Sequence, residues 1–302
     1  MTPTVTPHSA ARAYAGAIFA VVVWGASFIA TKIAVREVSP FTVVWLRFGI
    51  GVAVLAAAVA WRGEFARPSI RDLLYFIGLG ALGITLHQGL QVTGLRTAQA
   101  STTAWIISAT PLTMALVGRV VLGERLHKRQ AAGIVLGAAG VLTVVTRGDW
   151  HALAGGSHVA IGDVLVLITT VTWALFSVFS RRGLQRHRSA PMMLYVMGSG
   201  WLLSTIPWVM EGGPAQVARL TPDAWAGIVF LGLLCSGLAY VFWYDALRAL
   251  PAATVGTILY LQPIVTLVAA AAVLGERITL STLAGGAIIL LGVRVATRRT
   301  AA

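Results

Sequence analysis

Ile84, His87, Gln88 and Gln91 fall at i, i+3, i+4 and i+7, which places one imidazole and two amides on a single helical face. Each of these polar groups can donate and accept hydrogen bonds. Ser101, Trp105, Ser108 and Leu112 form a second row, Trp24, Ser27 and Thr31 a third, and Trp173, Ser177 and Ser180 a fourth. Indole rings stack on apolar groups, while hydroxyls and amides meet an ammonium or a carboxylate. This is chemistry for holding a small molecule and releasing it. Bond-making chemistry has no comparable constellation, because no paired acids, no His/Asp metal cluster and no nucleophile beside a base recur among these rows. The single cysteine, Cys235, gives neither a disulfide framework nor a thiolate metal site, so no cofactor or metal is expected.

The elements that carry these rows are long and apolar. Of 302 residues, 57% are hydrophobic and 11% charged, against roughly 25% charged in an average soluble domain, and the mean hydropathy is +0.82. Apolar runs of about 20 residues recur, each long enough to cross a hydrocarbon core of about 30 Å. Helices are predicted at 14–34, 41–61, 72–94, 98–121, 129–146, 161–180, 191–210, 223–247, 252–273 and 279–296, which makes ten spans. The runs lack the alternation of barrel strands, and an open sheet edge cannot face lipid. The net charge of +13 comes without a long Lys/Arg run, so the lipid bilayer, and not nucleic acid, is the expected partner. Arg12 ahead of the first run could mimic a signal peptide, but no small-residue cleavage site follows, and the run is read as the first helix.

The chain repeats itself. Leu122-Gly123-Glu124-Arg125 returns 152 positions later as Leu274-Gly275-Glu276-Arg277, and the same offset relates Leu95-Arg96 to Leu247-Arg248, Pro111 to Pro263, Gly133 to Gly285 and Gly140 to Gly292. Trp24-Gly25-Ala26-Ser27-Phe28 is matched by Trp173-Ala174-Leu175-Phe176-Ser177 at an offset of 149, the difference being a loop length. Each copy holds five spans, an odd number, so the second enters the membrane upside down. The expected organisation is a tail over 1–13, a first repeat over 14–146, a linker over 147–160, a second repeat over 161–296 and a tail over 297–302. Charge agrees with inversion: with both termini cytoplasmic, only Lys32, Arg36, Arg47, Arg96, Arg147, Arg219 and Arg277 of 23 cations fall outside. After the shared Gly-Glu-Arg, the first copy continues Leu126-His127-Lys128-Arg129 and the second Ile278-Thr279-Leu280-Ser281, without charge. Inverted repeats place a site near the midplane between the halves, and one half rocks against the other.

The tryptophan-rich start of each half, the Pro111 and Pro263 helices ending in Leu-Gly-Glu-Arg and the glycine-rich fifth and tenth spans resemble the drug/metabolite transporter superfamily with paired EamA-type domains. The resemblance covers nearly the whole chain and is closest to the YddG-type amino-acid exporters. It implies export of aromatic and other neutral amino acids from bacteria, across the inner membrane, through a cavity formed chiefly by spans 1, 3, 4, 6, 8 and 9.

The repeat carries the first row to Ser236, Ala239, Tyr240 and Trp243, and the second to Ala253, Thr257, Tyr260 and Ile264. His87, Trp105, Trp173, Tyr240 and Tyr260 are therefore the expected substrate contacts, with Gln91, Ser108, Trp24, Ser177 and Trp243 beside them. Pro111 and Pro263 each remove a backbone hydrogen bond and are expected to hinge their helices. Gly133, Gly137, Gly285 and Gly292 are read as packing positions. Trp150, Trp201, Trp208 and Trp225 are read as interfacial belt residues, and Glu124-Arg125 and Glu276-Arg277 as local salt bridges or helix-end stabilisers. All ten acids lie near predicted ends, which suits a neutral or zwitterionic cargo and passive movement; a monomer is the expected functional unit. Lys32, Arg36, Arg47 and Arg119 are placed near span ends, which argues against a phosphorylated cargo. Open alternatives are another small metabolite or a drug, such as a purine or drug-like cation moved by proton antiport, and a membrane assembly or sensor protein without transport. An intramembrane enzyme is not expected.

Overall fold

The computed structural model describes residues 7–149, 160–250 and 252–297, with the side chains of 7–10, Arg248, Ala252 and Ala253 left aside. Trp150, Arg298, Arg299, most of the predicted linker and parts of both tails therefore lie outside the described residues. Within them every regular element is helical. The spans run Ala11–Ala34, Pro40–Trp61, Ile70–Leu95, Lys128–Val145, Ile161–Leu184, Ser189–Met210, Pro222–Leu247, Thr254–Leu274 and Leu280–Thr297, with the fourth made of Ala100–Ser108 and Thr110–Val121 meeting at 43°. At 1.5 Å per residue, even 18 residues reach about 27 Å.

Chain chemistry explains most boundaries. The first helix starts at Pro7, ahead of the predicted 14, because proline is pre-shaped for a first turn. The sixth runs on to Leu184 past the predicted 180, because Arg181 and Arg182 sit favourably in a last turn, facing the negative end of the helix dipole. Pro111 is the second residue of the second segment of span 4, directly after its bend. In span 9 a turn at Leu259–Tyr260 separates Ala252–Ile258 from Leu261–Leu274, with Pro263 just beyond it.

Glycines fix the packing and expose a two-fold relation between the halves. Spans 5 and 10 meet so closely that a Cβ on Gly133 would lie 2.6 Å from the Gly292 carbonyl oxygen, and one on Gly140 2.7 Å from that of Gly285. Adding 152 to 133 and subtracting it from 292 turns the first contact into the second. The rule recurs elsewhere. A Cβ on Gly51 would meet Ser236 at 2.6 Å, and one on Gly200 would meet Ile84 at 2.5 Å. A Cβ on Gly232 would meet Ile50 and the Arg47 carbonyl, and one on Gly80 would meet Ser199 and the Val196 carbonyl. The offset grows from 149 to 152 between Gly51 and Gly80, in the loop that in the second half holds the short helix Gly213–Val217.

Spans 3 and 8 each contain a π-helical stretch, Ala81–Leu86 and Phe230–Leu238. They overlap once the offset is applied. Such stretches are rare and collect at functional sites.

The bundle is dressed for lipid. Large apolar side chains point outward, among them Leu202, Ile206, Val268 and Val135, each more than 60% exposed. Hydroxyls turn inward and bond to carbonyls of their own helix, as Ser204 does to Gly200 and Thr266 to Gln262. Loops after odd-numbered spans gather at one end, where Glu37 accepts bonds from the Thr221 hydroxyl and N–H. Loops after even-numbered spans gather at the other, where Arg62 holds Asp245 through two 2.8 Å bonds. Trp208 and Trp201 do more than stand at an interface: Trp45 stacks on Trp208 at 3.9 Å and lies 5.4 Å from Trp201, joining spans 2 and 7. Trp225 is partly buried against the core.

Candidate functional site

Five expected residues gather in two facing groups. The buried His87 sits directly after the π-helical stretch of span 3, its Nδ1 2.9 Å from the Thr172 hydroxyl and 3.2 Å from the Thr169 carbonyl of span 6. Its ring lies 5.2 Å from that of Trp173. In the mirrored group, Trp24 of span 1 donates its indole N–H to the Cys235 carbonyl of span 8 at 3.1 Å, within the second π-helical stretch. The open hydrogen-bonding of a π-helical turn supplies that free acceptor. Trp24 packs 5.6 Å from Tyr240 and 5.1 Å from Trp243, ring to ring. Trp24 and Trp173 are repeat counterparts, and each reaches into the opposite half.

Between the two groups stands Arg47, a residue the sequence reading put near a span end. It lies seven residues past Pro40, about 10 Å along its helix, and is only 5% exposed. Its Nε donates to the Ser236 hydroxyl at 3.1 Å, and its terminal nitrogens reach the Cys235 sulfur at 3.3 Å and Gln88 Oε1 at 3.5 Å. The guanidinium thus ties Gln88, the neighbour of His87, to Cys235, whose carbonyl accepts the Trp24 N–H. No carboxylate among the described residues pairs with it. Its counterpart in the second half is Val196, so the charge is present once. The available signal was a cation between Trp45 and Phe48 deep in an apolar run; reading it as an interfacial charge hid it. A buried ionic group is costly unless something meets it, and intramembrane cations mark functional sites.

The other expected residues lie around the breaks in spans 4 and 9. Trp105 is buried with its indole against Gly286, its N–H lacks a hydrogen-bond partner, and Tyr260 packs on the same cluster. The Ser108 hydroxyl returns to the Ala104 carbonyl at 2.8 Å, one turn before the bend. Gln91 and Ser177 are half-buried. The rows are not faced uniformly toward the centre. Ile84 packs on Gly200 of span 7, Leu112 on Gly137, and Ile264 is 52% exposed, because the break at Leu259–Tyr260 shifts the helical phase beyond it. Ala253 falls among the side chains outside the described set. Two recesses of about 540 and 520 Å³ lie elsewhere, one beside Glu276 and Arg147 and one between Phe41, Thr85 and Pro207.

Of the two roles expected at the Glu-Arg pairs, Glu276 takes helix-end stabilisation. Glu276 makes no local bridge; its carboxylate accepts the Ala100 N–H at 2.8 Å and the Ser101 N–H and hydroxyl at 3.1 and 2.7 Å. It caps a helix of the opposite half.

A lipid-coated bundle of two inverted five-helix units, with hydroxyls, rings and one cation gathered inside, defines a polytopic membrane transporter. Residues 11–146 and 160–298 each match the EamA-like transporter family, and the chain belongs to it. An uncharacterized transporter of Archaeoglobus fulgidus is 31% identical over 92% of this chain and 94% of its own length. A probable terminal-alkyne amino-acid exporter of Streptantibioticus cattleyicolor is 30% identical over 94% and 92%, and a probable amino-acid metabolite efflux pump of Escherichia coli 25% over 92% and 92%. A solved crystal structure with 22% identity superposes with a TM-score of 0.64, over 94% of this chain and 98% of that one, and shares the fold.

Proposed function

We propose that this chain exports neutral, zwitterionic amino acids, aromatic ones included, across a bacterial inner membrane, as a monomer with both termini cytoplasmic. The observation that carries the reading is Arg47, a buried cation bonded to Gln88 beside His87 and to Ser236 and Cys235 beside Trp24, without an acidic partner among the described residues. A cargo carboxylate supplies the missing charge, in a pair that is strong when desolvated and bidentate. Trp24, Trp173, Tyr240 and Trp243 offer faces to an apolar or aromatic side chain, and His87 and Gln91 offer hydrogen bonds. Trp105, Ser108, Tyr260 and Ser177 line the path where spans 4 and 9 break, and Pro111 and Pro263 let those spans flex. The printed names of the Streptantibioticus and Escherichia relatives support this cargo class. Movement is passive, by alternating access, since no carboxylate stands at a span centre to carry a proton.

Efflux from proteoliposomes tests it, with phenylalanine compared against phenethylamine, which keeps the ring and amine but lacks the carboxylate. Phenylalanine moves, phenethylamine does not, and Arg47→Met lowers phenylalanine flux by about tenfold or more. Equal movement of the two compounds, or unchanged flux in Arg47→Met, overturns the cargo assignment. Accumulation driven by an imposed pH gradient alone overturns the passive mechanism.

A further inference from the structure

At the end where odd-numbered loops gather, two contacts hold the structure shut. Glu276, just past span 9, caps the first amides of span 4, and the Lys32 ammonium of span 1 donates to the Ala98 carbonyl just before that helix. The first amides of a helix have no partner within it, so Ala100 and Ser101 depend on this carboxylate from the other repeat.

Each participant has a counterpart at the opposite end. The offset of 152 takes Glu276 to Glu124, Ala100 to Ala252, Ser101 to Ala253 and Ala98 to Leu250, and that of 149 takes Lys32 to Arg181. The carboxylate and the cation are both retained. The local turn is retained as well: Gly275 and Gly123 have φ of +66° and +69°, Glu276 N–H donates to the Ala270 carbonyl at 3.2 Å, and Glu124 N–H to the Gly118 carbonyl at 3.3 Å. Only glycine adopts that φ readily, so each motif aims its glutamate by the same backbone device. Engagement is what differs. Glu124 is exposed and its carboxylate has no hydrogen bond or ion pair among the described residues, and Arg181 is likewise exposed.

We infer that Glu124 and Arg181 are gating residues, the second of two alternating latches. When the molecule rocks, the Glu124 carboxylate caps the Ala252 and Ala253 amides at the start of span 9 and Arg181 reaches the Leu250 carbonyl, while Glu276 and Lys32 let go. A rigid rocking motion that closes one end opens the other, so the two latches exclude each other. The present structure is the state with the odd-loop end latched. The latches are also unequal: Ser101 adds a hydroxyl bond to the first, whereas Ala253 has no hydroxyl to give, which biases the resting population toward this state.

The inference rests on the alternating-access reading but not on the cargo, and hydrogen exchange of the full chain in lipid nanodiscs reads it without any substrate. Glu276→Gln speeds exchange at Ala100 and Ser101 and slows it at Ala252 and Ala253. Glu124→Gln, at an exposed position, does the reverse. Ala253→Ser slows exchange at 252–253 and speeds it at 100–101, by about tenfold for one added bond to a charged acceptor. If Glu276→Gln leaves 252–253 unchanged, Glu276 is a plain helix cap and the inference fails; it fails too if Glu124→Gln and Ala253→Ser move neither pair. Reciprocal exchange in a protein that carries no amino acid sustains the latches and sinks the cargo reading alone.

Discussion

Gly292→Ala probes the seam between the two halves most directly. Its new methyl group would sit 2.6 Å from the Gly137 nitrogen and 2.7 Å from the Gly133 oxygen, both backbone atoms that cannot swing aside. Restoring an ordinary contact, which begins at 3.4 Å, means separating spans 5 and 10 by about 0.8 Å there. A gap of that size forfeits a quarter to a half of the dispersion energy of the atoms facing it, and overpacking of this kind costs about 1–3 kcal/mol. Gly198→Ala supplies the control, since nothing lies within 4 Å of its would-be methyl, and its better helix propensity stabilises by up to about 1 kcal/mol. Since Gly292→Ala gains the same propensity, reversible unfolding in mixed micelles should separate the two variants by the overpacking cost, about 1–3 kcal/mol. Gly140→Ala, which meets backbone at 2.7 Å across the same seam, should match Gly292→Ala. If Gly292→Ala is as stable as Gly198→Ala within about 0.5 kcal/mol, the close seam is not what joins the halves.

Other outcomes follow from single contacts. Gly286→Val places a side chain in collision with the Trp105 indole and should both lower flux by about tenfold and shift the tryptophan emission, as the ring is driven from its slot. Asp245→Asn weakens a partly exposed bidentate ion pair with Arg62 and should cost less than about 1 kcal/mol in the same unfolding assay. The Thr221 hydroxyl, and secondarily its N–H, hold the Glu37 carboxyl below the usual carboxylate range. Because this value is lowered by folding, the contact is fully present above about pH 4.3 and is lost as the pH falls through the folded value. Glu37→Gln should remove that acid-side protection, seen as hydrogen exchange at residue 221 that no longer depends on pH between about 5 and 3 once corrected for intrinsic exchange.

Long apolar runs announced the spans, and the recurrence of Leu-Gly-Glu-Arg announced the inverted halves, because periodic patterns survive in a linear string. The rows around Trp24, Trp173, His87 and Tyr240 could be drawn for the same reason, since each of these residues has polar or aromatic neighbours at helical spacing on its own span. Arg47 was not, since a cation in an apolar run reads equally as an interfacial charge until Ser236, Cys235 and Gln88 are folded around it. The reach of Glu276 to Ala100 was hidden as well, because a capping partner 176 residues away leaves no local trace. Ile264 and Ile84 left their predicted faces where a turn and a π-helical stretch changed the helical phase, and neither departure is encoded in the spacing of apolar residues.

The paired π-helical stretches also record a history. A π-helical turn arises when a helix takes in one residue more than its regular winding holds, and the surplus stands at matching register in spans 3 and 8. Such a surplus, present in both copies together with the glycines around it, is most simply inherited from one ancestral five-helix unit that already carried it. A widened turn of that origin stands in both copies, whereas the single arginine lodged against it stands in one, with Val196 in its place in the other.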